Sequence, residues 1–108
     1  MRQATIPEHI KRWADAVIKE FNERVVRDPN RYYIARYRGR YLYLDRSDYG
    51  GSHRIGRLAY TGSSDQWEFA IFKYSDERYD ADEWLFPGSG YVDGTLEGAL
   101  NAGLEAYP

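Results

Sequence analysis

The spacing of apolar residues changes once along the chain, from a helical repeat to an alternating one. From about Thr5 to Val26 they recur every three or four positions, which places them in one stripe along a helix with charged residues opposite. From Tyr32 they alternate with polar residues, the period of a half-buried strand. This change constrains the fold most, because it predicts an amphipathic helix packed on an antiparallel sheet.

The first helix has a predicted start, stripe and end. Thr5 and Glu8 have the spacing of a capping box, and Pro7 suits a first turn. Asp28-Pro29-Asn30 is expected to stop the helix. The predicted buried stripe contains Ile6, Ile10, Trp13, Ala14, Val17, Ile18, Phe21 and Val25.

A β-hairpin is predicted next. Tyr32–Tyr37 and Arg40–Asp45 flank Arg38-Gly39, which we expect to form a two-residue turn that pairs Tyr37 with Arg40. One face of this hairpin would carry Tyr33, Ala35, Tyr37, Leu42 and Leu44, and the other Ile34, Arg36, Tyr41 and Tyr43.

The rest of the chain predicts a meander and a closing helix. A flexible loop, Arg46 to Ser52, would lead to a third strand at His53–Tyr60 and a fourth at Gln66–Tyr74. An acidic stretch, Asp76 to Glu83, precedes Trp84-Leu85-Phe86, read as a short fifth strand or as the far end of a long hairpin.

A second helix is expected over 95–107, with Asp93 or Thr95 as its N-cap. Gly98 and Gly103 are poor helix formers, and close approach to the sheet would explain them. The predicted fold class is therefore α+β: an N-terminal amphipathic helix packed on a four- or five-stranded antiparallel meander sheet, with a short C-terminal helix, in one domain spanning 1–108.

Three segments carry a resemblance to a protein family. They are Arg38–Asp45 (RGRYLYLD), Arg57–Gly62 (RLAYTG) and Trp67–Ser75 (WEFAIFKYS). With the order helix, antiparallel meander, helix, they resemble small bacterial domains of unknown function. The resemblance implies the fold alone, because no activity is assigned to that family and no functional positions carry over.

Composition excludes several classes of function. The 108 residues include no cysteine, which removes disulfides, thiolate nucleophiles and cysteine-ligated metal sites. No apolar run approaches the roughly 18 residues needed to span a bilayer, and the N-terminus lacks the apolar core of a signal peptide. We therefore expect a soluble cytoplasmic protein with no cofactor and no membrane partner.

Charge is divided unevenly between the two halves of the chain. Residues 1–57 contain 13 basic and 7 acidic side chains, a net charge of +6, whereas residues 58–108 contain 2 and 10, a net charge of -8. One interpretation is a basic surface for an anionic partner. The favoured interpretation is that the two halves neutralise each other across the surface of one folded domain.

Candidate chemistry in the sequence is weak. The histidines are His9, on the first helix, and His53, at the start of the third strand, where Ser52 would point to the opposite face. The acidic stretch offers oxygens for a hard cation but lacks the spacing of a calcium loop. We assign no catalytic, cofactor-binding or metal-ligating residue.

The sharpest candidate is a binding face that mixes arginine with tyrosine: Arg36, Arg38, Arg40, Tyr41 and Tyr43. The favoured function is a small non-catalytic binding or protein-interaction domain that associates with itself or another protein, since Tyr and Arg are common in interface hot spots. One alternative is single-stranded nucleic-acid binding, with rings for bases and guanidiniums for phosphates. The other is an enzyme that uses carboxylates or His53.

Overall fold

The computed structural model describes residues 5–83 and 85–108. Helix α1 spans Glu8–Phe21 and continues into a π-helical turn, Asn22–Val26, which ends at Arg27 in the left-handed conformation (φ 57°). The helix therefore ends near the predicted boundary, but its last turn is wider than an α-helical one.

The predicted capping box is wrong. The N-cap is Pro7, and none of the described side chains caps the helix. The reason is tertiary: the amide of Ile6 donates to the carbonyl of Gly39 in the first hairpin turn, so the chain before α1 is held by the sheet. The carbonyl of Pro7 then accepts the first helical hydrogen bonds, from Ile10 and Lys11.

Most of the predicted stripe of α1 is buried. Ile6, Ile10, Ala14, Ile18 and Phe21 all enter the core. Two members are exposed instead, Trp13 at 37% and Val25 at 50%. Trp13 lies at the margin of the stripe, and Val25 lies in the π-helical turn, whose extra residue per turn rotates it away from the core.

In the described part of the chain, five strands form one antiparallel sheet in the order β1-β2-β3-β4-β5. Their bounds are Arg31–Arg38, Tyr41–Asp48, Gly51–Ala59, Glu68–Lys73 and Arg78–Asp80. The sheet is a meander, as predicted, because each strand pairs with the next along the chain.

The first two turns differ from the prediction. Tyr37 pairs with Leu42, so the β1-β2 turn is Gly39-Arg40 and not Arg38-Gly39. The register moves by two residues, which leaves every side chain on its predicted face. The predicted flexible loop Arg46 to Ser52 is instead a two-residue turn, Tyr49-Gly50, between longer strands.

Strand β3 contains a bulge that the sequence pattern does not reveal. Leu44 pairs with Gly56 and Asp45 with Arg54, which leaves Ile55 unpaired. The bulge inverts the alternation beyond it, so Arg54 and Arg57 lie on the same sheet face although they are three residues apart.

The fifth strand lies inside the acidic stretch. Arg78–Asp80 pairs with β4, with Tyr79 opposite Phe72. The prediction of a strand at Trp84-Leu85-Phe86 is not supported, since Leu85 and Phe86 belong to no strand and Trp84 lies outside the described residues. The sequence pattern did not reveal this strand, because its single ring, Tyr79, lies between two charged residues.

Helix α2 spans Leu96–Ala106, and the side chain of Thr95 caps it by accepting the Gly98 amide. Both helices pack on the same face of the sheet, where one core joins them to β1, β2 and β3. Its fully buried large side chains are Tyr33, Leu42, Leu44, Ile55, Leu58, Leu96 and Leu100. The opposite face lies outside this helix-covered core. No described helix is long and apolar enough to cross a membrane.

Candidate functional site

The sheet face opposite the helices carries alternating arginine and tyrosine. Arg36 pairs with Tyr43, and Tyr43 pairs with Arg57, so these three form a row across β1, β2 and β3. Arg38 and Tyr41 are paired beside that row. Adjacent strands are about 4.8 Å apart, so the three-residue row spans about 10 Å.

Guanidinium groups lie against the tyrosine rings of this face. The guanidinium carbon of Arg36 is 5.0 Å from the centre of the Tyr43 ring. Arg40 and Arg57 both approach the Tyr41 ring, at 5.0 and 4.3 Å. These are cation-π distances, and contacts of this kind favour the observed positions of the arginine side chains.

The rings also contact one another across strands. Tyr43 is 6.0 Å from Tyr41 and 5.3 Å from Tyr79 between ring centres. Tyr79 in turn lies 4.9 Å from Phe72, over which Arg54 is placed at 5.5 Å. Burial raises the pKa of the Tyr79 hydroxyl, so this ring stays neutral at physiological pH. We call the eight residues Arg36, Arg38, Arg40, Arg54, Arg57, Tyr41, Tyr43 and Tyr79 the arginine-tyrosine face.

One arginine of the face is fixed by a carboxylate. Arg36 donates two hydrogen bonds to Asp45, at 2.5 Å from Nε and 3.1 Å from Nη2. Asp45 is 6% exposed, so Arg36 covers a carboxylate that would otherwise be buried without a partner. The same hydrogen bonding raises the pKa of Arg36 further.

The other four arginines have no such partner. Within residues 5–83 and 85–108, neither Arg38, Arg40, Arg54 nor Arg57 forms an ion pair with a carboxylate. Every ion pair of the described chain also joins two residues of the same half of the sequence. Among the residues that the structure describes, the expected neutralisation of one half by the other therefore does not occur through ion pairs, and the face has a local excess of positive charge.

All five residues singled out from the sequence lie together on this face. Arg36, Arg40, Tyr41 and Tyr43 are linked by the contacts above, and Arg38 is exposed beside Tyr41. Sequence reasoning missed Arg54, Arg57 and Tyr79. Simple alternation puts Arg54 and Arg57 on opposite faces, and only the bulge at Ile55 unites them; Tyr79 was hidden in the acidic stretch.

The acidic stretch is organised by two cations of the chain itself. The ammonium of Lys73 lies 3.8, 3.7 and 3.0 Å from carboxylate oxygens of Asp76, Asp80 and Glu83. Arg78 contacts Asp76 and Asp80 as well. No group of three or more acidic or histidine side chains among the described residues is arranged to hold a metal ion.

His53 lies at the far end of the sheet from the β1-β2 turn. Its Nε2 is 3.6 Å from Oδ2 of Asp48, too far for a hydrogen bond, and its side chain is 57% exposed. No hydroxyl nucleophile of the described chain is hydrogen-bonded to it. The geometry thus gives His53 an acidic neighbour without assembling a catalytic triad.

No protein-family model, no curated protein and no solved structure matches this chain.

Proposed function

We propose that this protein is a non-catalytic binding domain whose arginine-tyrosine face binds single-stranded nucleic acid. The observation that carries the proposal is a set of four arginines that have no carboxylate partner among the described residues and lie on a sheet face that neither helix covers. Two of them, Arg40 and Arg57, lie against tyrosine rings. Single strands need both groups, because bases stack on rings or guanidinium planes while phosphates accept hydrogen bonds from arginine.

The arrangement of the arginines supports an anionic ligand more than a neutral one. A guanidinium stacked on a ring keeps its N–H groups in its own plane, where they remain available to phosphate oxygens. The stacking also reduces the side-chain entropy that binding would cost. Local charge governs such contacts, so the formal net charge of -2 for the whole chain does not oppose them.

Charge also argues against self-association through this face, the partner first favoured from the sequence. A two-fold dimer would bring the same surface of two copies together. The arginines of one copy would then meet those of the other, with Asp45 already committed to Arg36. Like charges in contact across an interface cost several kcal/mol.

The proposal is tested by fluorescence anisotropy with labelled oligothymidylate over a series of salt concentrations. If the four unpartnered arginines contact phosphates, the logarithm of the association constant K should fall with the logarithm of the salt concentration at a slope of about -3. Each phosphate contact contributes about -0.7 on a single strand. Arg57→Gln should weaken binding and make the slope shallower by about 0.7.

The matched control is Arg12→Gln, which removes the same charge from the exposed side of α1. It should leave both affinity and slope unchanged. No binding at low salt, or equal losses for Arg57→Gln and Arg12→Gln, would overturn the proposal. A dimer seen by sedimentation velocity that Arg57→Gln dissolves would instead assign the face to self-association.

The cellular setting belongs to the same proposal. We propose a bacterial cytoplasm, on the basis of the family resemblance and the cysteine-free composition. Both are compatible with a ligand that is nucleic acid.

A further inference from the structure

A second feature lies on the helix side of the sheet, away from the arginine-tyrosine face. Two cross-strand pairs meet at the end of β1, β2 and β3: Arg31 with Asp48, and Arg46 with His53. Together with Tyr107, just beyond α2, they line a cavity of about 200 Å³. Three of these five side chains are basic residue types, which is unusual beside a core.

Arg46 is a buried cation without a carboxylate partner in the described chain. It is 4% exposed. One terminal nitrogen donates to the carbonyl of Tyr107, the other donates to the Tyr33 hydroxyl at 3.2 Å, and Nε has no partner among the described residues. Both acceptors are uncharged, so the positive charge is solvated but not neutralised.

The surroundings of Arg46 offset only part of this charge. The ring of Tyr33 lies 4.8 Å from the guanidinium carbon. Burial raises the pKa of Tyr33 to about 12, so its hydroxyl brings no negative charge at neutral pH. The C-terminal end of α2 contributes about half a unit of negative charge at most.

Among the described lining residues Asp48 is the one carboxylate side chain, and Arg31 and His53 both lie beside it. Its oxygens lie 3.4 Å from Nε of Arg31 and 3.6 Å from Nε2 of His53. Arg31 also donates to a main-chain oxygen of Pro108 at 2.8 Å. Asp48 and Pro108 thus supply oxygens to Arg31, whereas Arg46 has no carboxylate partner among the described residues. A buried guanidinium in that state favours an added anion.

We propose that this cavity binds a small oxyanion, of the size of phosphate or a short dicarboxylate, with Arg46 and Arg31 as charged donors and His53 as a third contact. Planar guanidiniums match phosphate and carboxylate oxygens in pairs. The volume selects for small ligands, because cavities that hold drug-sized molecules start at about 300 Å³. The site is independent of the proposed function, since it shares no residue with the arginine-tyrosine face.

The experiment uses the two histidines of the chain as a built-in comparison. The ring resonances of His53 and His9 are followed by NMR while inorganic phosphate is added, at constant pH and with ionic strength balanced by chloride. His53 should shift along a saturating curve, whereas His9, on α1, should not. A malonate titration distinguishes carboxylate from phosphate ligands.

Variants then assign the contacts by isothermal titration calorimetry. Arg31→Gln should weaken phosphate or malonate binding by about tenfold or more, the effect of losing one charge-assisted hydrogen bond. Arg46→Gln should abolish it, and because Arg46 is buried, the exposed His53→Gln provides a second test that keeps the core intact. Arg38→Gln, on the other face, should bind the anion normally while weakening oligonucleotide binding.

Two results would overturn the inference. One is a linear, unsaturated shift of equal size at His53 and His9. The other is unchanged affinity in both Arg31→Gln and His53→Gln. Neither result bears on oligonucleotide binding, so failure here and failure of the proposed function are distinguishable.

Discussion

The guanidinium carbon of Arg57 lies 4.3 Å from the centre of the Tyr41 ring, on the neighbouring strand. The same group is 5.3 Å from the ring of Tyr79, so it sits between two aromatic surfaces. An arginine held in this way is positioned before any ligand arrives. Its two functions, stacking and charge, can be separated by changing the ring or the guanidinium alone.

Tyr41→Leu is expected to weaken oligonucleotide binding without changing its salt dependence. The substitution removes a stacking surface, worth about 1 to 3 kcal/mol per base, but no charge. The slope of log K against log salt should therefore match the wild-type slope, unlike that of Arg57→Gln. Anisotropy titrations at several salt concentrations measure both quantities.

The control for this prediction is Tyr49→Leu, which removes an equally large ring from the exposed β2-β3 turn. It should bind like the wild type. A loss of affinity in Tyr49→Leu as large as that in Tyr41→Leu would show that the arginine-tyrosine face is not the stacking surface.

Gly103→Ala is expected to destabilise the protein although alanine is the better helix former. A Cβ at this position would overlap the hydroxyl of Tyr33 and lie 2.7 Å from Cγ2 of Ile55. The overlap must push α2 off the sheet, which we expect to cost about 1 to 3 kcal/mol. Urea denaturation measures the change in the free energy of unfolding.

Gly90→Ala is the matched control, since nothing lies within 4 Å of the position that its Cβ would occupy. Its free energy of unfolding should stay within about 0.5 kcal/mol of the wild-type value. Equal stability of Gly103→Ala and the wild type would mean that α2 does not approach the sheet as closely as described.

Part of this fold could be predicted from the sequence alone. Local periodicity predicted α1, α2, the meander and the face of each hairpin residue, because burial on one side imposes that periodicity directly. The two glycines of α2 predicted a close approach to the sheet, which is confirmed for Gly103 and wrong for Gly98, whose Cβ position meets the carbonyl of Tyr91 and the side chain of Asp93. The bulge at Ile55 could not be predicted, since it depends on pairing with β2 and not on local composition.

The candidate site was therefore predicted in part. Its β1 and β2 residues follow from alternation, but Arg54 and Arg57 require the bulge, and Tyr79 requires a strand formed within an acidic stretch. The cavity beside Arg46 could not be predicted either. The sequence analysis placed Arg46 in a flexible loop, whereas in the structure β2 extends to Asp48 and Arg46 is a buried strand residue.

Arg36→Gln is expected to destabilise the fold by about 1 to 2 kcal/mol, because it leaves the buried carboxylate of Asp45 without its partner. The expected loss of stability is small because the Arg36 side chain is 49% exposed and water screens the ion pair. Urea denaturation of Arg36→Gln, Asp45→Asn and the double variant gives the coupling energy.

The double variant should recover part of the loss, since an amide opposite an amide leaves no buried charge. If the loss of stability in the double variant equals the sum of the losses in the two single variants, Arg36 and Asp45 are not energetically coupled and the assignment is wrong. Oligonucleotide binding by Asp45→Asn should be retained, because the positive charge of the face is then undiminished.

Alkaline conditions should destabilise the protein through Tyr33. Burial raises the pKa of Tyr33 from 10.0 to about 12, so the folded protein holds the phenolic proton more tightly than the unfolded chain does. The resulting stabilisation is fully present below pH 10 and is lost as the pH rises through 12. Two pKa units correspond to about 3 kcal/mol at most.

The comparison that isolates this effect is Tyr33→Phe. The variant should start less stable at neutral pH, because Leu100 and Arg46 lose a hydrogen-bond partner. Between pH 10 and 12 its free energy of unfolding should then fall less steeply than that of the wild type, while lysines and the other tyrosines titrate equally in both. Parallel curves for the two proteins across this range would refute the assignment of the alkaline loss to Tyr33.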